Sequence, residues 1–383
     1  MSTTKGAAPF ASKFGADATR SFTPDAGFYF DPAIYAAEQN GIFHRQWSYF
    51  CHISQVAAPG DYLSGEIGGQ SVCVIRGKDG ILRGFFNVCR HRAHQLLSGA
   101  GSLKAGIRCP YHSWTYGLDG ALRSAPHCEA VTGFEKDAIR LAPVATEEIN
   151  GFVFVNLQAS ARPLASAEPS FAANLQELVP ESRRLRHAFT QHFAINANWK
   201  VVVENFLENY HSFYSGPAHA ELSNIIDQST YEWLIDGKLV LFRGRGGANL
   251  PYAVQGERTI AGRPEGFQIV FLWPNMAFIL LPRVNLLIVF LMNPDGPERT
   301  SEPLHYFTPD GKIDRDAEAA MGWFNNKLGP EDVVLVESVQ KGLHSLSYLH
   351  GRLMVDAAAS ASWSEHFLHH FNRLNIEALN DAR

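Results

Sequence analysis

Cys89-Arg90-His91 and, after a seventeen-residue gap, Cys109-Pro110-Tyr111-His112 each place one thiolate and one imidazole close enough along the chain for a single loop to aim both at a metal. Two such loops would close a site with two sulfurs and two nitrogens. A zinc site with the same ligand types takes its cysteines as one close pair and its histidines as another. One of each per loop suits a mixed-ligand [2Fe-2S] cluster instead, in which two cysteines hold one iron and two histidines the other, raising the potential above that of an all-cysteine cluster. The alternative, scattered core cysteines and surface histidines, fits a double match of this kind poorly.

A second group of metal-ligating residue types lies downstream. The stretch 198–211 has helical character, and Glu204, Glu208 and His211 recur in it at four- and three-residue steps, which predicts that they share one face. Beside the apolar Val201, Val202 and Val203, that stripe is a candidate for metal or acid/base work. His219 follows in the loop after Ser215-Gly216-Pro217-Ala218. Two histidines and one carboxylate would complete a facial triad that leaves positions on Fe(II) open for O2. Asp332, in Gly329-Pro330-Glu331-Asp332, could supply the carboxylate, but an acidic residue at the start of a predicted helix is equally expected as a cap.

The elements that must position these residues fall into two blocks. From Trp47 to about Leu157, short apolar stretches alternate with turn signals such as Gly68-Gly69 and Asn150-Gly151. Val72–Ile75 and Phe152–Val155 read as strands, giving a small all-β domain with the two loops projecting from hairpins. Ala159–Pro169 reads as a linker. Beyond it, helices are predicted over Phe171–Leu178, Trp199–His211, Ala317–Asn325, Glu331–Leu343 and Trp363–Leu379, with strands within Tyr231–Leu250 and Phe267–Met292. Strands and helices in separate blocks predict an α+β domain.

Composition narrows the function class. At 383 residues two domains are expected, and a formal charge of -5 gives no basic surface for nucleic acid. The apolar run Phe267–Met292 is broken by Pro274, Asn275, Pro282, Arg283 and Asn285 into pieces of strand length, so no membrane span is expected. No signal peptide is read at the start. Five cysteines, two of them in the metal loops, argue for a reducing cytoplasm over a disulfide framework.

The chain resembles the large (α) subunits of the Rieske non-haem iron oxygenases over most of its length. The likeness is carried by Phe43-His44-Arg45-Gln46-Trp47, Asn87-Val88-Cys89-Arg90-His91-Arg92 and Cys109-Pro110-Tyr111-His112-Ser113-Trp114, then by Asn198-Trp199-Lys200, Glu204-Asn205-Phe206, Tyr210-His211 and Glu331-Asp332 with Glu337-Ser338-Val339-Gln340. The resemblance implies a Rieske cluster on Cys89, His91, Cys109 and His112, and a mononuclear iron on His211, His219 and Asp332. Asp332 is preferred to Glu331 because it stands five residues before Glu337. The seven residues between His211 and His219 exceed the family's usual spacing and imply a short insertion within Ser212–Ser215. Glu208, where many relatives carry Asp, is implied as the carboxylate that bridges His211 to a cluster histidine, His112, across a head-to-tail homotrimer.

This implies an N-terminal segment 1–45 packing on the catalytic domain, a Rieske domain 46–160, and a catalytic domain 161–383 with a helix-grip-like antiparallel sheet. The activity implied is O2-dependent hydroxylation of a small molecule. Arg243-Gly244-Arg245-Gly246-Gly247 has the wrong spacing for a dinucleotide fingerprint, so a separate NAD(P)H-dependent flavin or iron-sulfur reductase is expected. Glu208 and the Gly351-Arg352-Leu353 segment look like the subgroup acting on choline, carnitine, glycine betaine and stachydrine. That favours hydroxylation of an N-methyl carbon and loss of formaldehyde. Aromatic or aromatic-acid substrates are the alternative, and a bare Rieske electron carrier a weaker one. Phe213, Tyr214, Trp233, Phe271 and Trp273 are candidates for cation–π contacts with a quaternary ammonium group.

Overall fold

The computed structural model describes residues 10–255 and 266–381, and the elements that follow lie among them. Two compact units emerge. One takes in 43–169 and 181–187; the other takes in the described parts of 1–42, 170–180 and 188–383.

The first unit is all-β. Its strands are β1 (Ser48–His52), β2 (Asp61–Ile67), β3 (Gln70–Arg76), β4 (Leu82–Phe86), β5 (Ala100–Ser102), β6 (Ile107–Arg108), β7 (Thr115–Tyr116), β8 (Leu122–Ser124), β9 (Pro143–Ile149) and β10 (Phe152–Asn156). One sheet runs β1-β10-β9-β4-β3-β2-β5, and a smaller one β6-β7-β8. Two-residue turns set the register: Gly68-Gly69 follows the Ile67↔Gln70 pair, and Asn150-Gly151 follows Ile149↔Phe152. All four turn residues have positive φ, the geometry that matches the twist of a two-residue hairpin. Val72, Val74, Val153 and Val155 fill one core, while Cys73, Phe85, Tyr116, Cys89 and Cys109 belong to another at the base of the metal loops. The expected linker Ala159–Pro169 instead forms a helical turn at Leu164–Ala167. Glu147 of β9 accepts from the amides of Leu164 and Ala165, which ties that turn to the sheet.

The second unit is α+β, as its sequence predicts. β11 (Arg186–Ile195), β12 (Glu232–Asp236), β13 (Leu239–Gly244), β14 (Phe267–Leu272), β15 (Met276–Leu280), β16 (Leu287–Leu291), β17 (Asn293–Gly296) and β18 (Arg299–Thr308) are its strands. The sheet order is β11-β18-β16-β15-β14-β13-β12, with β17 on β18. Antiparallel pairing links β12 through β16 and β16 to β18. The apolar run that could pass for a membrane span is β14, β15 and β16, every residue of which is buried. Among the described residues no helix is long and apolar enough to cross a membrane.

Helices Arg315–Trp323, Gly329–Leu343 and His366–Asp381 appear within a few residues of expectation. The predicted helix Trp199–His211 stops at Leu207. Beneath the 199–207 helix, Lys200 is fully buried, ion-paired to Glu38 and 4.5 Å over the Phe28 ring. Glu38 also accepts from Trp199 Nε1 at 2.9 Å. An unpaired ammonium here would be very costly to bury, so the segment carrying Phe28 and Glu38 is held to this helix.

Candidate metal centres and catalytic pocket

The two loops of the β unit share one hydrogen-bond design. Cys89 N donates to His94 O and Ala93 N to Cys89 O; Cys109 N donates to Trp114 O and Ser113 N to Cys109 O. Ala93 and Ser113 both turn through positive φ, 58° and 59°. Each loop therefore buries its cysteine and leaves its histidine nearer the surface. The His91 and His112 rings lie 4.6 Å apart, with Trp114 stacked on His91. Nδ1 of His112 is buried with no hydrogen-bond partner among the described residues, as expected of an atom kept for a metal. Cys89 and Cys109 are free, and the Tyr116 hydroxyl sits 3.2 Å from Cys89 Sγ while accepting from Arg90 N. Donor types and the orphaned nitrogen fit a Rieske cluster.

In the α+β unit the chain leaves the helix at Glu208, whose backbone is extended (φ -107°, ψ 145°). The cause is a local side-chain turn: the Glu208 carboxylate accepts from both the backbone amide and Nδ1 of His211. Glu204, Glu208 and His211 therefore do not form the helical stripe expected of them. Glu204 turns into the interior, accepting from Tyr29 OH at 2.7 Å and Asn372 Nδ2 at 2.8 Å. Burial raises its carboxyl pKa to about 7, against the lowering effect of those two bonds.

His219 lies in the short helix Pro217–Leu222, not in a loop, and is fully buried. Its Nε2 is 3.0 Å from Asp332 Oδ1, and Nε2 of His211 is 3.6 Å from the same oxygen. One ligand atom from each of His211, His219 and Asp332 falls within 4.8 Å of the others. Between the two histidines the chain makes the single turn His211–Phe213 and a bend before Gly216. Burial alone would lower the His211 pKa, but Asp332 and Glu208 outweigh it and lift the imidazole to about 9. His219 is raised in the same way, burial being overcome by Asp332 and then Glu331. Two electron-rich imidazoles and a carboxylate that share a focus suit a divalent iron.

Sequence reasoning missed the part played by Glu331. Its carboxylate accepts from His219 Nδ1 at 2.8 Å and from the amides of Ala218 (3.1 Å) and His219 (3.3 Å). That fixes the ring tautomer and leaves Nε2 as the ligand atom. The tandem acids at the start of one helix, Gly329–Leu343, were the available signal.

A cavity of roughly 1130 Å³, its mouth included, opens onto His211 and Asp332. Of the five expected aromatic candidates only Phe213 lines it. Tyr214 is exposed, Trp233 packs on His366 and Phe367, Phe271 lies behind the wall in contact with Phe206, and Trp273 donates to Asn375. The aromatic lining comes instead from Phe206, Tyr231, Phe242, Phe290, Trp323 and Phe324. Strand register decides which rings face inward, and it is not visible from composition. Glu302 of β18 also lines the cavity, and burial followed by the charge of Asp332 pushes its carboxyl well above the usual range.

Residues 46–135 match the family model for the Rieske [2Fe-2S] domain, and 182–380 that for the catalytic domain of the ring-hydroxylating α subunit. The carnitine monooxygenase oxygenase subunit of Escherichia coli (strain K12) is 35% identical over 372 residues, covering 96% of each chain. The chloroplastic choline monooxygenase of Atriplex hortensis is 28% identical, covering 92% of this chain and 77% of its own. A crystal structure of the quaternary ammonium Rieske monooxygenase CntA in complex with L-carnitine superposes with a TM-score of 0.84 at 33% identity, covering 95% of this chain and 97% of the other. Naphthalene 1,2-dioxygenase, at 20% identity and a TM-score of 0.76, shares the fold.

Proposed function

The chain belongs to the Rieske-type ring-hydroxylating oxygenase α subunits, and from that premise we propose that it is the terminal oxygenase of a multicomponent system that hydroxylates an N-methyl carbon of a quaternary ammonium compound. The observation that carries this reading is the joining of an aromatic-walled cavity to the His211, His219 and Asp332 focus, in a chain similar to proteins named for carnitine and choline. The overall balance is R-N(CH3)3+ with O2, two electrons and two protons giving the N-hydroxymethyl cation and water. That product releases formaldehyde and a proton to leave the tertiary amine. When bound, the cluster supplies single electrons and the mononuclear iron activates O2.

The chain's own residues set the stage for that chemistry. Cys89, His91, Cys109 and His112 would hold the cluster; His211, His219 and Asp332 would hold the iron, next to the cavity that His211 and Asp332 line. Glu208 keeps the His211 ring in one orientation through Nδ1. Phe206, Phe290 and Trp323 line the cavity and would offer aromatic surface to a methylammonium group, a cation–π contact contributing about 0.5–2 kcal/mol. In a head-to-tail homotrimer Glu208 would join His211 to His112 of the partner subunit, giving electrons a short hydrogen-bonded route. A separate reductase supplies them, and free thiols suit work in the cytoplasm. The test is reductase-coupled O2 uptake with choline, betaines and aromatic acids, scoring formaldehyde. Its absence from every N-methyl compound would sink the proposal.

A further inference from the structure

Glu302 is the one buried acid of the catalytic unit whose carboxyl finds no hydrogen bond or ion pair among the described residues, and it faces the cavity. The contrast with its neighbours is direct. Glu204 is held by Tyr29 and Asn372, Glu38 by Trp199 and Lys200, and Glu331 by His219 and two amides. Glu302, 7% exposed, has no such donors. Its carboxyl is open to the cavity, not sealed in the core, so a ligand bound there can partner it.

Its setting says which ligand. The register aligns Phe242 with Ile269, Ile269 with Ile279, and Phe290 with Leu304, so one face of the sheet presents Phe242, Ile269, Ile279 and Phe290 to the cavity. On β18, Glu302 stands two residues from Leu304 and therefore points to the same side as that apolar row. Glu208 and Asp332 also line the cavity but are engaged with the histidines, so Glu302 is the carboxyl set among aromatic and aliphatic side chains, and it is matched by a cation that is itself coated in methyl groups. Among the described lining residues there is no Lys or Arg to take that place.

We propose that Glu302 is the anionic partner of the substrate's quaternary nitrogen and so determines the enzyme's preference for cationic over neutral N-methyl compounds. The inference rests on the quaternary ammonium reading above and names the residue behind it. A trimethylammonium group cannot donate a hydrogen bond, so what Glu302 contributes is charge at close range: burial favours the protonated acid in the empty cavity, the cation shifts the balance to the carboxylate with the proton leaving to solvent, and the surrounding rings take up the methyl surface. A small polar cation such as ammonium or a lysine side chain gains the charge but loses its hydration against that wall. The pairing therefore selects for methylation as well as for charge.

The holoenzyme is tested with choline, glycine betaine and γ-butyrobetaine, each beside the isostere in which carbon replaces the quaternary nitrogen. Dissociation constants and KM are read separately from kcat. For a charge pair at contact in a partly screened cavity, wild type should favour the cation by roughly ten- to a hundred-fold, and Glu302→Gln should remove most of that ratio while iron content and cluster absorbance stay at wild-type levels. Glu302→Asp, which keeps the charge, should hold the ratio to within a few-fold. Equal wild-type affinity for cation and isostere overturns the inference without any variant. So does a ratio unchanged in Glu302→Gln, which leaves the quaternary ammonium reading standing. If wild type turns over none of the N-methyl cations, that reading falls and this inference with it.

Discussion

Glu331 offers the sharpest perturbation of the iron site, because it is not itself one of the three grouped ligands. Replacing it with Ala removes the acceptor for His219 Nδ1 and for the amides of Ala218 and His219 in a single step. The freed ring can then flip or change tautomer, and Nε2, 3.0 Å from Asp332, no longer has a fixed direction. Loss of a carboxylate behind a metal-binding histidine typically costs 10- to 100-fold in metal affinity, or about 1.4–2.8 kcal/mol. The two orphaned amides add about 1 kcal/mol each to the destabilisation of the 217–222 helix. Glu331→Gln keeps an acceptor oxygen but not the charge, and should fall between wild type and Ala. The assay is iron retained against a graded chelator, with the cluster's visible absorbance as internal reference. Gly216→Ala provides an independent route to the same end: a Cβ there would lie 2.8 Å from Glu331 Oε2, at a φ of +153° that only glycine adopts readily. Wild-type iron affinity in Glu331→Ala, or equal loss of iron from both centres, would refute the reasoning.

Glu204→Gln should reveal a buried carboxyl through stability against pH. A folded pKa near 7, above the usual 4.5, means stability that is complete below about pH 4.5 and lost as pH rises through 7. The glutamine variant, still able to accept from Tyr29 and Asn372, should therefore gain up to about 3 kcal/mol at pH 8 and almost nothing near pH 4.5; a pH-independent difference in calorimetry would count against the assignment. Tyr116→Phe removes a hydroxyl hydrogen bond to Cys89 Sγ that favours the more negative, reduced cluster, so the midpoint potential should fall with the cluster intact. An unchanged or higher potential contradicts that. Cys109→Ser should lower iron from about three to about one per chain with the mononuclear signal retained; loss of all iron would mean the two centres are not independent.

What was legible in the sequence was local. Cysteine and histidine two or three residues apart need only one loop, and the Gly68-Gly69 and Asn150-Gly151 turns carry their own geometry. The hydrophobic breaks at Pro274 and Pro282 were enough to divide Phe267–Met292 into strands. The predicted helix runs on to His211 because Glu204, Glu208 and His211 recur at helical steps, while the interaction that ends it at Leu207, Glu208 turning back to His211, is a side-chain event. Spacing favoured Asp332 over Glu331 as the ligand, but the part Glu331 plays could not be read from it, since its partner lies 112 residues away. The cavity's aromatic wall depends on the register between β13, β14, β15 and β16. Glu302 left a trace that could have been read: it shares the parity of Leu304 and Tyr306 on an inward-facing strand, where a charge is unexpected.

The buried Glu38 and Lys200 pair has a consequence for the order in which the molecule can be made. The segment carrying Phe28 and Glu38 leaves the ribosome well before its cationic partner, which follows 162 residues later, after the stretch from 43 to 169 and the segment 181–187 that build the iron-sulfur unit. The residues of the β unit are therefore all made before the catalytic unit gains this buried pair, and Glu38 lacks its partner until the 199–207 helix appears.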